Sequence, residues 1–234
     1  MATKRKGNNT LFFQNVSIAG WASVVGKKEG EGPLARHYDV ISDDAHFGQE
    51  TWEKAESYMQ TTAAQKAIEK ANISTETVNY AFAGDLLDQC IGTHFGLRDL
   101  QIPLFGLYGA CSTMAESLAL AAITIEGGCA DFCLSVASSH YCSAERQYRL
   151  PLEYGGQRTP TTQWTVTGAG AVVTDNSGKG PFIQHVTIGK IMDKGVKDIT
   201  NMGAAMAPSN GIIGLYIKEV VCKGLGIYTM TWLL

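Results

Sequence analysis

The chain has 234 residues, of which 45% are hydrophobic and 18% are charged, and its formal net charge is −3. A charged share below the ~25% of an average soluble chain argues against disorder, and the length is enough for one or two domains with a buried core. The small negative net charge argues against a dedicated nucleic-acid-binding protein, which would need a basic face.

The N-terminal third of the chain predicts one strand and one long helix. Residues 16–25 are rich in β-branched side chains and punctuated by glycine, which is typical of a strand or hairpin, and the charged, Gly-rich residues 27–33 indicate a loop. Between residues 51 and 72, apolar and small side chains recur at intervals of three and four, which predicts an amphipathic helix.

The middle of the chain continues this alternation. The apolar residues 78–83 predict a buried strand that stops at Gly84, with Asp85 and Asp88 in the following loop or helix start. Three further elements are predicted in chain order: a strand over residues 102–108, a helix over residues 112–126 that ends at a Gly-Gly pair, and a strand over residues 132–137.

The C-terminal part is polar at first and then predicts a hairpin. Residues 138–165 are rich in turn formers, whereas residues 168–174 and 182–188 are apolar runs that flank the turn-forming residues 175–178. Strands that alternate with helices predict an α/β layered fold with parallel strands.

Cysteine usage and hydropathy give expectations about the compartment. The six cysteines form no CxxC pair and show no zinc-ligand spacing, so we predict free thiols in a reducing compartment, with no metal site and no cofactor. Polar residues at 14, 15 and 17 interrupt any signal-peptide core. The longest charge-free run, residues 199–217, contains five polar or proline residues, so no transmembrane helix is predicted.

The most informative segment is the turn around Cys111, where an apolar strand runs through small residues into a helix. The unpaired amides and the dipole of a helix N-terminus stabilise a thiolate at Cys111, and they equally stabilise a bound carboxylate or phosphate. The site could thus be a nucleophile or an anion pocket. Alternatively, Cys111 is a small buried hydrophobe, and Ser112 or Thr113 caps the helix.

Several short strings carry a resemblance to a known family. The turn at residues 108–113 resembles the nucleophile turn of thiolase-like condensing enzymes, and the wider sequence resembles the stage V sporulation protein AD family of that superfamily. The matching strings lie at residues 32–35, 83–87, 109–113, 138–140, 144–147, 153–157, 165–171 and 202–208.

The resemblance implies a thiolase-like layered fold, of which this chain carries the N-terminal βαβαβαββ half without the second half. We therefore expect a thiolase-like unit over residues 1–208 and an atypical tail over residues 209–234, which a frameshift or truncation would explain. Without its second half, the unit is expected to expose an apolar face and to self-associate, as a thiolase-like homodimer or less specifically.

The resemblance also implies a function in sporulation, as the binding component of the machinery that moves dipicolinic acid into the spore. The expected ligand is dipicolinic acid, alone or as its calcium chelate. Expected partners are the membrane proteins of the spore channel, which would place the chain in the cytoplasm or peripherally at the spore inner membrane. Seven residues are candidate ligand contacts: Cys111, Ser112, Thr113, Ser139, His140, Arg146 and Arg149.

A flat aromatic dicarboxylate needs donors on two sides. The helix start at Cys111 can supply one set, and the polar residues 138–140 with Arg146 or Arg149 can supply the other, because arginine grips carboxylates in a bidentate fork. The alternative is a condensing enzyme or acyltransferase with Cys111 as nucleophile, which needs a base and an oxyanion hole. None of the five histidines lies in a motif typical of the thiolase base. A third alternative is an inactive product that retains part of either role.

Overall fold

The computed structural model describes residues 5–86, 89–148 and 165–189. The chain divides into two compact units, residues 1–186 and 187–234, and the fold described below is that of the first. Its strands are β1 (Arg5–Lys6), β2 (Thr10–Phe12), β3 (Ser17–Gly26), β4 (Val40–Ser42), β5 (Tyr80–Asp85), β6 (Leu104–Gly106), β7 (Phe132–Ser139), β8 (Gly168–Asp175) and β9 (His185–Thr187). Its α-helices are α1 (Lys27–Gly30), α2 (Trp52–Lys70), α3 (Ile91–Leu97), α4 (Thr113–Glu126) and α5 (Tyr141–Tyr148).

The main sheet has six strands in the order β4-β3-β8-β7-β5-β6, and a smaller sheet has the order β1-β2-β9. Neighbouring strands run parallel at β3–β4, β5–β6 and β5–β7, whereas β8 runs antiparallel to both β3 and β7. The predicted α/β fold with alternating strands and helices is therefore confirmed. The prediction that the strands are parallel is wrong for β8, so the main sheet is mixed.

Helices cover both faces of the main sheet. Helices α2 and α3 pack on one face, and α4 packs on the other over β5, β7 and β8. Successive side chains of a strand point to opposite faces, and the two core clusters follow this alternation. In β7, Leu134 and Val136 belong to the α2 cluster, whereas Cys133 belongs to the α4 cluster.

Helix α2 forms where the periodicity predicts it. Thr51 caps its first turn by accepting a hydrogen bond from the Lys54 amide at 3.2 Å, and Lys70 lies in its last turn. Small side chains such as Ala63 and Ala67 are fully buried against the sheet. Two polar residues, Glu56 and Gln60, are buried on the same helix.

Two predicted element ends differ from the structure. Residues 27–30 form the one-turn helix α1 instead of a loop. Strand β5 does not stop at Gly84 but continues through Asp85, because both residues keep their ladder pairing with β7. Asp88 lies outside the described residues.

The predicted hairpin is also wrong. Strand β8 is paired along both edges, with β3 and β7, so it has no free edge for the strand that follows it. Residues 181–184 instead hydrogen-bond to the start of β3 and the segment before it: the Ile18 amide donates to the Pro181 carbonyl and the Phe13 amide to the Gln184 carbonyl, each at 2.8 Å. Helix α5, between β7 and β8, lies in the stretch that the sequence indicated only as polar and turn-rich.

Strand β3 approaches α2 so closely that Gly20 has no room for a side chain. A Cβ at Gly20 would overlap the Ala67 carbonyl oxygen and lie 2.7 Å from the Ala71 amide nitrogen. Both atoms belong to the backbone, so neither can move aside without displacing the end of α2.

Replacing Gly20 by alanine is therefore expected to destabilise the fold by about 1–3 kcal/mol, as overpacking does. Gly170→Ala in β8 is the matched control, because its Cβ would meet only the terminal methyl group of Met114, at 3.4 Å. Urea unfolding followed by circular dichroism measures both variants. Equal stability of the two would contradict the close packing of β3 on α2.

Candidate functional site

The turn around Cys111 connects the edge strand β6 to helix α4. After β6 the chain passes through a single 3-10 turn, Ala110–Ser112, and α4 begins at Thr113. Ala110 has a φ of +45°, a left-handed conformation that costs a non-glycine residue energy and is uncommon outside turns and functional sites. The predicted strand–turn–helix is confirmed, with α4 starting after Cys111.

Contacts with β5 fix the position of this turn. The Leu107 amide donates to the Ala83 carbonyl at 2.8 Å, and the Cys90 thiol donates to the Leu107 carbonyl at 3.4 Å. Gly84 allows the approach, because a Cβ there would overlap the Leu107 carbonyl oxygen and lie 2.9 Å from Thr113 Cγ2. The start of α4 is thus held against the carboxyl end of β5.

The helix start presents donors and a thiol to the surface. Cys111 is exposed, and so is Ser112. The Ser112 hydroxyl donates to the Gly109 carbonyl at 2.8 Å and caps none of the first amides of α4. Thr113 is buried, and its hydroxyl has no hydrogen-bond partner among the described residues. The site can therefore offer backbone amides and the positive end of the helix dipole to an anion.

Residues 138–140 divide between the two faces of the sheet. Because side chains alternate along β7, Ser139 lies on the α4 face and Ser138 on the α2 face. Asp85 pairs with Ser138 and Gly84 with Ala137, so the end of β7 is next to β5, the strand against which the Cys111 turn packs. Of this trio, Ser139 is the residue placed on the same face as α4, and its hydroxyl donates to the Val166 carbonyl.

His140 lies in the interior. Its Nε2 is 2.8 Å from the Ala45 carbonyl oxygen, and its Nδ1 accepts a hydrogen bond from the Cys142 amide at 3.2 Å. These partners require a neutral ring with its proton on Nε2. The ring is fully buried and lies 5.1 Å from the Trp52 ring, centroid to centroid. In this arrangement both ring nitrogens are already occupied.

The two candidate arginines are not placed by the structure. Arg149 lies outside the described residues. Arg146 belongs to α5, but its side chain also lies outside the described part. The proximity of either guanidinium to the Cys111 turn stays a prediction.

A buried polar network on the α2 face was not predicted from the sequence. It joins six side chains by hydrogen bonds: Glu56, Gln60, Asp85, Thr93, Ser138 and Ser143. Its two acidic residues, Glu56 and Asp85, are each 1% exposed. Burial is the main cause that raises the pKa of Glu56 to about 7, with a contribution from the nearby Asp85 carboxyl and against the lowering effect of the Ser138 and Ser143 hydroxyls. The available signal was Glu56 and Gln60 spaced four apart within the apolar pattern of α2.

A cavity of about 330 Å³ lies at the carboxyl end of β3, and none of the predicted ligand contacts whose side chains the structure describes lines it. Its wall includes Lys27, Lys28, Glu29, Asp43 and Tyr141, together with Thr165 and Thr167. The mixture of cationic and acidic side chains gives it no clear preference for an anion.

Two searches of the described residues give negative results. None of the helices in residues 5–86, 89–148 and 165–189 is long and apolar enough to cross a membrane. The same ranges contain no group of three or more His, Cys, Asp or Glu side chains that could hold a metal ion.

Comparisons with known proteins match most of the chain. A family model described as stage V sporulation protein AD matches residues 7–220. The stage V sporulation protein AD of Bacillus subtilis (strain 168) is 40% identical over 209 residues, which are 88% of this chain and 61% of the relative. The chain thus spans about 61% of the length of this curated relative. The predicted boundary after Pro208 lies outside the described residues.

Solved structures of condensing enzymes are similar at lower identity. The priming β-ketosynthase of the R1128 polyketide pathway matches with a TM-score of 0.47 and 17% identity, over 75% of this chain and 54% of its own. OleA H285N of Xanthomonas campestris matches with a TM-score of 0.47 and 22% identity, over 71% of this chain and 57% of its own. 3-Oxoacyl-[acyl-carrier-protein] synthase III of Aquifex aeolicus VF5 matches with a TM-score of 0.45 and 21% identity, over 69% of this chain and 54% of its own.

Thiol labelling of the native chain tests the placement of the cysteines. Maleimide is expected to modify the exposed Cys111 and Cys129, whereas Cys90 and Cys133 are buried and protected. Burial raises the pKa of the Cys133 thiol to about 12, so its thiolate is scarce at neutral pH. Modification of Cys133 should be on the order of 100-fold slower than that of Cys111 and should require opening of the fold.

Peptide mass spectrometry of the labelled chain identifies each site, with the urea-unfolded chain as the control in which all thiols react. Equal rates at Cys111 and Cys133 in the native chain would contradict the exposed turn.

Proposed function

The chain belongs to the stage V sporulation protein AD family, and we propose that it binds dipicolinic acid, alone or as its calcium chelate. In this proposal it is the ligand-binding component of the machinery that moves dipicolinic acid into the spore. It would act peripherally at the spore inner membrane, together with membrane proteins of the channel. The observation that carries the proposal is the exposed, uncapped start of α4 at Cys111 and Ser112.

A carboxylate fits the start of α4 for physical reasons. The first amides of a helix of 14 residues have no partner within the helix, and the aligned peptide dipoles favour negative charge there. The amides of Ser112 and Thr113 already donate to the Gly109 and Ala110 carbonyls, so the proposed donors are the amides that follow Thr113. The Ser112 hydroxyl donates to Gly109 and caps none of them. One carboxylate of dipicolinate is proposed to bind at this point, beside Cys111 and above Thr113.

The second carboxylate needs donors on the other side of the aromatic ring. Ser139 is proposed for this role, because it lies on the α4 face at the end of the strand next to β5, and its hydroxyl would turn from the Val166 carbonyl to donate to the carboxylate. Arg146 and Arg149 are proposed to complete the site with bidentate contacts. His140 is proposed to contribute by fixing the backbone next to Ser139, since both of its ring nitrogens are occupied.

One observation also favours acyl transfer as a second candidate function. An exposed cysteine at the start of a helix has the environment that activates nucleophilic thiols. A general base would have to come from a residue other than His140 as it is bonded here, because neither of its ring nitrogens is free.

A second copy of the chain is proposed as a partner at the β6 edge. Among the described residues β6 is the last strand of the sheet, so one side of its backbone has no strand partner there and could pair with another strand. Phe105 on β6 is 53% exposed, and Phe95 and Tyr108 nearby in the sequence are each 61% exposed. Pairing two β6 strands would bury these aromatic rings and continue the sheet.

Titration calorimetry with dipicolinate tests the binding proposal. Ser139→Ala is expected to weaken binding about tenfold or more, as the loss of a hydrogen bond to a charged group does. The Arg146→Ala, Arg149→Ala double variant is expected to lose at least as much affinity for dipicolinate as Ser139→Ala. Cys111→Ala should still bind, and Cys129→Ala, at an exposed cysteine beyond α4, is its matched control.

Unchanged affinity in both the serine and the arginine variants would contradict the proposed site. Acylation of Cys111 by a thioester substrate, seen as a mass shift that Cys111→Ala abolishes, would support the acyltransferase alternative.

Sedimentation velocity tests the proposed dimer. Phe105→Lys is expected to weaken self-association at least about tenfold, because a charge on an edge strand opposes strand addition. Trp21→Lys is the matched control, since Trp21 is an aromatic residue of similar exposure, 56%, on β3 away from the edge. If Phe105→Lys and Trp21→Lys behave identically, β6 does not form the interface.

A further inference from the structure

The buried polar network between α2 and the strand ends holds more acceptors than hydrogens. Glu56 Oε1 accepts from the Ser138 hydroxyl at 2.8 Å, and Glu56 Oε2 lies 2.9 Å from the Ser143 hydroxyl. These two serines flank Ser139 and His140, one at the end of β7 and the other in the first turn of α5. Glu56 is therefore the side chain that ties this segment to α2 from both ends.

The hydrogen bonds at Ser143 accommodate a proton on Glu56. The Ser143 hydroxyl has one hydrogen but two acceptors in reach, Glu56 Oε2 at 2.9 Å and the His140 carbonyl at 3.1 Å. With a proton on Oε2, Glu56 donates to Ser143, and Ser143 donates to the His140 carbonyl, which also accepts from the Ala144 amide at 2.9 Å. Ser138 can donate to Glu56 Oε1 in either state, since it receives its own hydrogen bond from Gln60 at 2.6 Å.

The charges around Glu56 also favour the protonated form. Asp85 on β5 lies in the same network, where its Oδ2 accepts from the Thr93 amide at 3.1 Å and hydroxyl at 2.9 Å. Glu53 on α2 adds a second acidic neighbour. His140, before α5, is held neutral by its own hydrogen bonds. Among the described residues, no cation forms an ion pair or hydrogen bond with Glu56.

We infer that Glu56 is a positioning residue that holds a proton in the folded chain below neutral pH, and that its ionisation as pH rises destabilises the contact between α2 and the Ser138–Ser143 segment. The loss of the proton places a negative charge in a buried network that also holds the Asp85 carboxyl and that offers no cation among the described residues. The consequence for ligand binding rests on the proposed function, because Ser139 lies within this segment. The consequence for the fold does not depend on any ligand.

The direction of the pH effect follows from linkage. The pKa of Glu56 is raised from its ordinary value of 4.5 to about 7, so the folded chain keeps a proton that the unfolded chain has released. The contribution of Glu56 to stability is thus fully present below pH 4.5, falls as pH rises towards 7, and is constant above it.

Urea unfolding of the full chain between pH 4.5 and 8.5 tests this inference. Glu56→Gln keeps a donor for Ser143 and an acceptor for Ser138 but cannot ionise. The unfolding constant of the unchanged chain relative to Glu56→Gln is expected to rise on the order of 100-fold across this range. Glu69→Gln, at an exposed position on the same helix, is the matched control and should follow the unchanged chain.

Infrared difference spectra provide a second readout that does not depend on any variant folding well. The unchanged chain should show a protonated carboxylic acid band at pH 5.5 that disappears by pH 8.5, and Asp85→Asn should retain that titrating band. Parallel stability profiles for Glu56→Gln and the unchanged chain, or no titrating acid band, would overturn the inference. A chain that titrates in this way but fails to bind dipicolinate would refute the proposed function alone.

Discussion

The geometry of the candidate site depends on one close backbone contact, between Gly84 in β5 and the turn that follows β6. Because Gly84 has no side chain, the Leu107 carbonyl and Thr113 can lie directly against the strand. This contact holds the first turn of α4 over the carboxyl end of the sheet and leaves Cys111 and Ser112 exposed. The packing of α4 over β5, β7 and β8 then fixes its orientation relative to the end of β7.

Most elements of the fold could be predicted from local pattern, and the failures have long-range causes. The periodicity of α2 and the apolar runs of β3, β5 and β7 are properties of neighbouring residues, so the sequence reveals them directly. The predicted hairpin failed because β8 is occupied on both edges by β3 and β7. Which edge of a strand is free depends on the assembled sheet and cannot be inferred from a turn signal.

The candidate site shows the same division between local and assembled properties. The Cys111 turn carries a local signal, since small residues between a strand and a helix are visible in sequence. The motif at residues 138–140 carries no such local signal, because side chains alternate along the strand, so Ser139 lies on the α4 face and Ser138 on the α2 face. Glu56 was not predicted because the periodicity of α2 is defined by its apolar residues, whereas the hydrogen-bond partners of Glu56 come from two other elements, β7 and α5.

The central position of β8 has a consequence for synthesis on the ribosome. The sheet places β8 between β3 and β7, so Ser17, near the start of the chain, pairs with Asp175. The edge of β3 that pairs with β8 therefore stays unpaired until almost the whole unit has emerged from the exit tunnel. Pairings this distant in sequence form slowly. Chaperones would therefore need to cover the unpaired edge of β3 in the nascent chain during that interval.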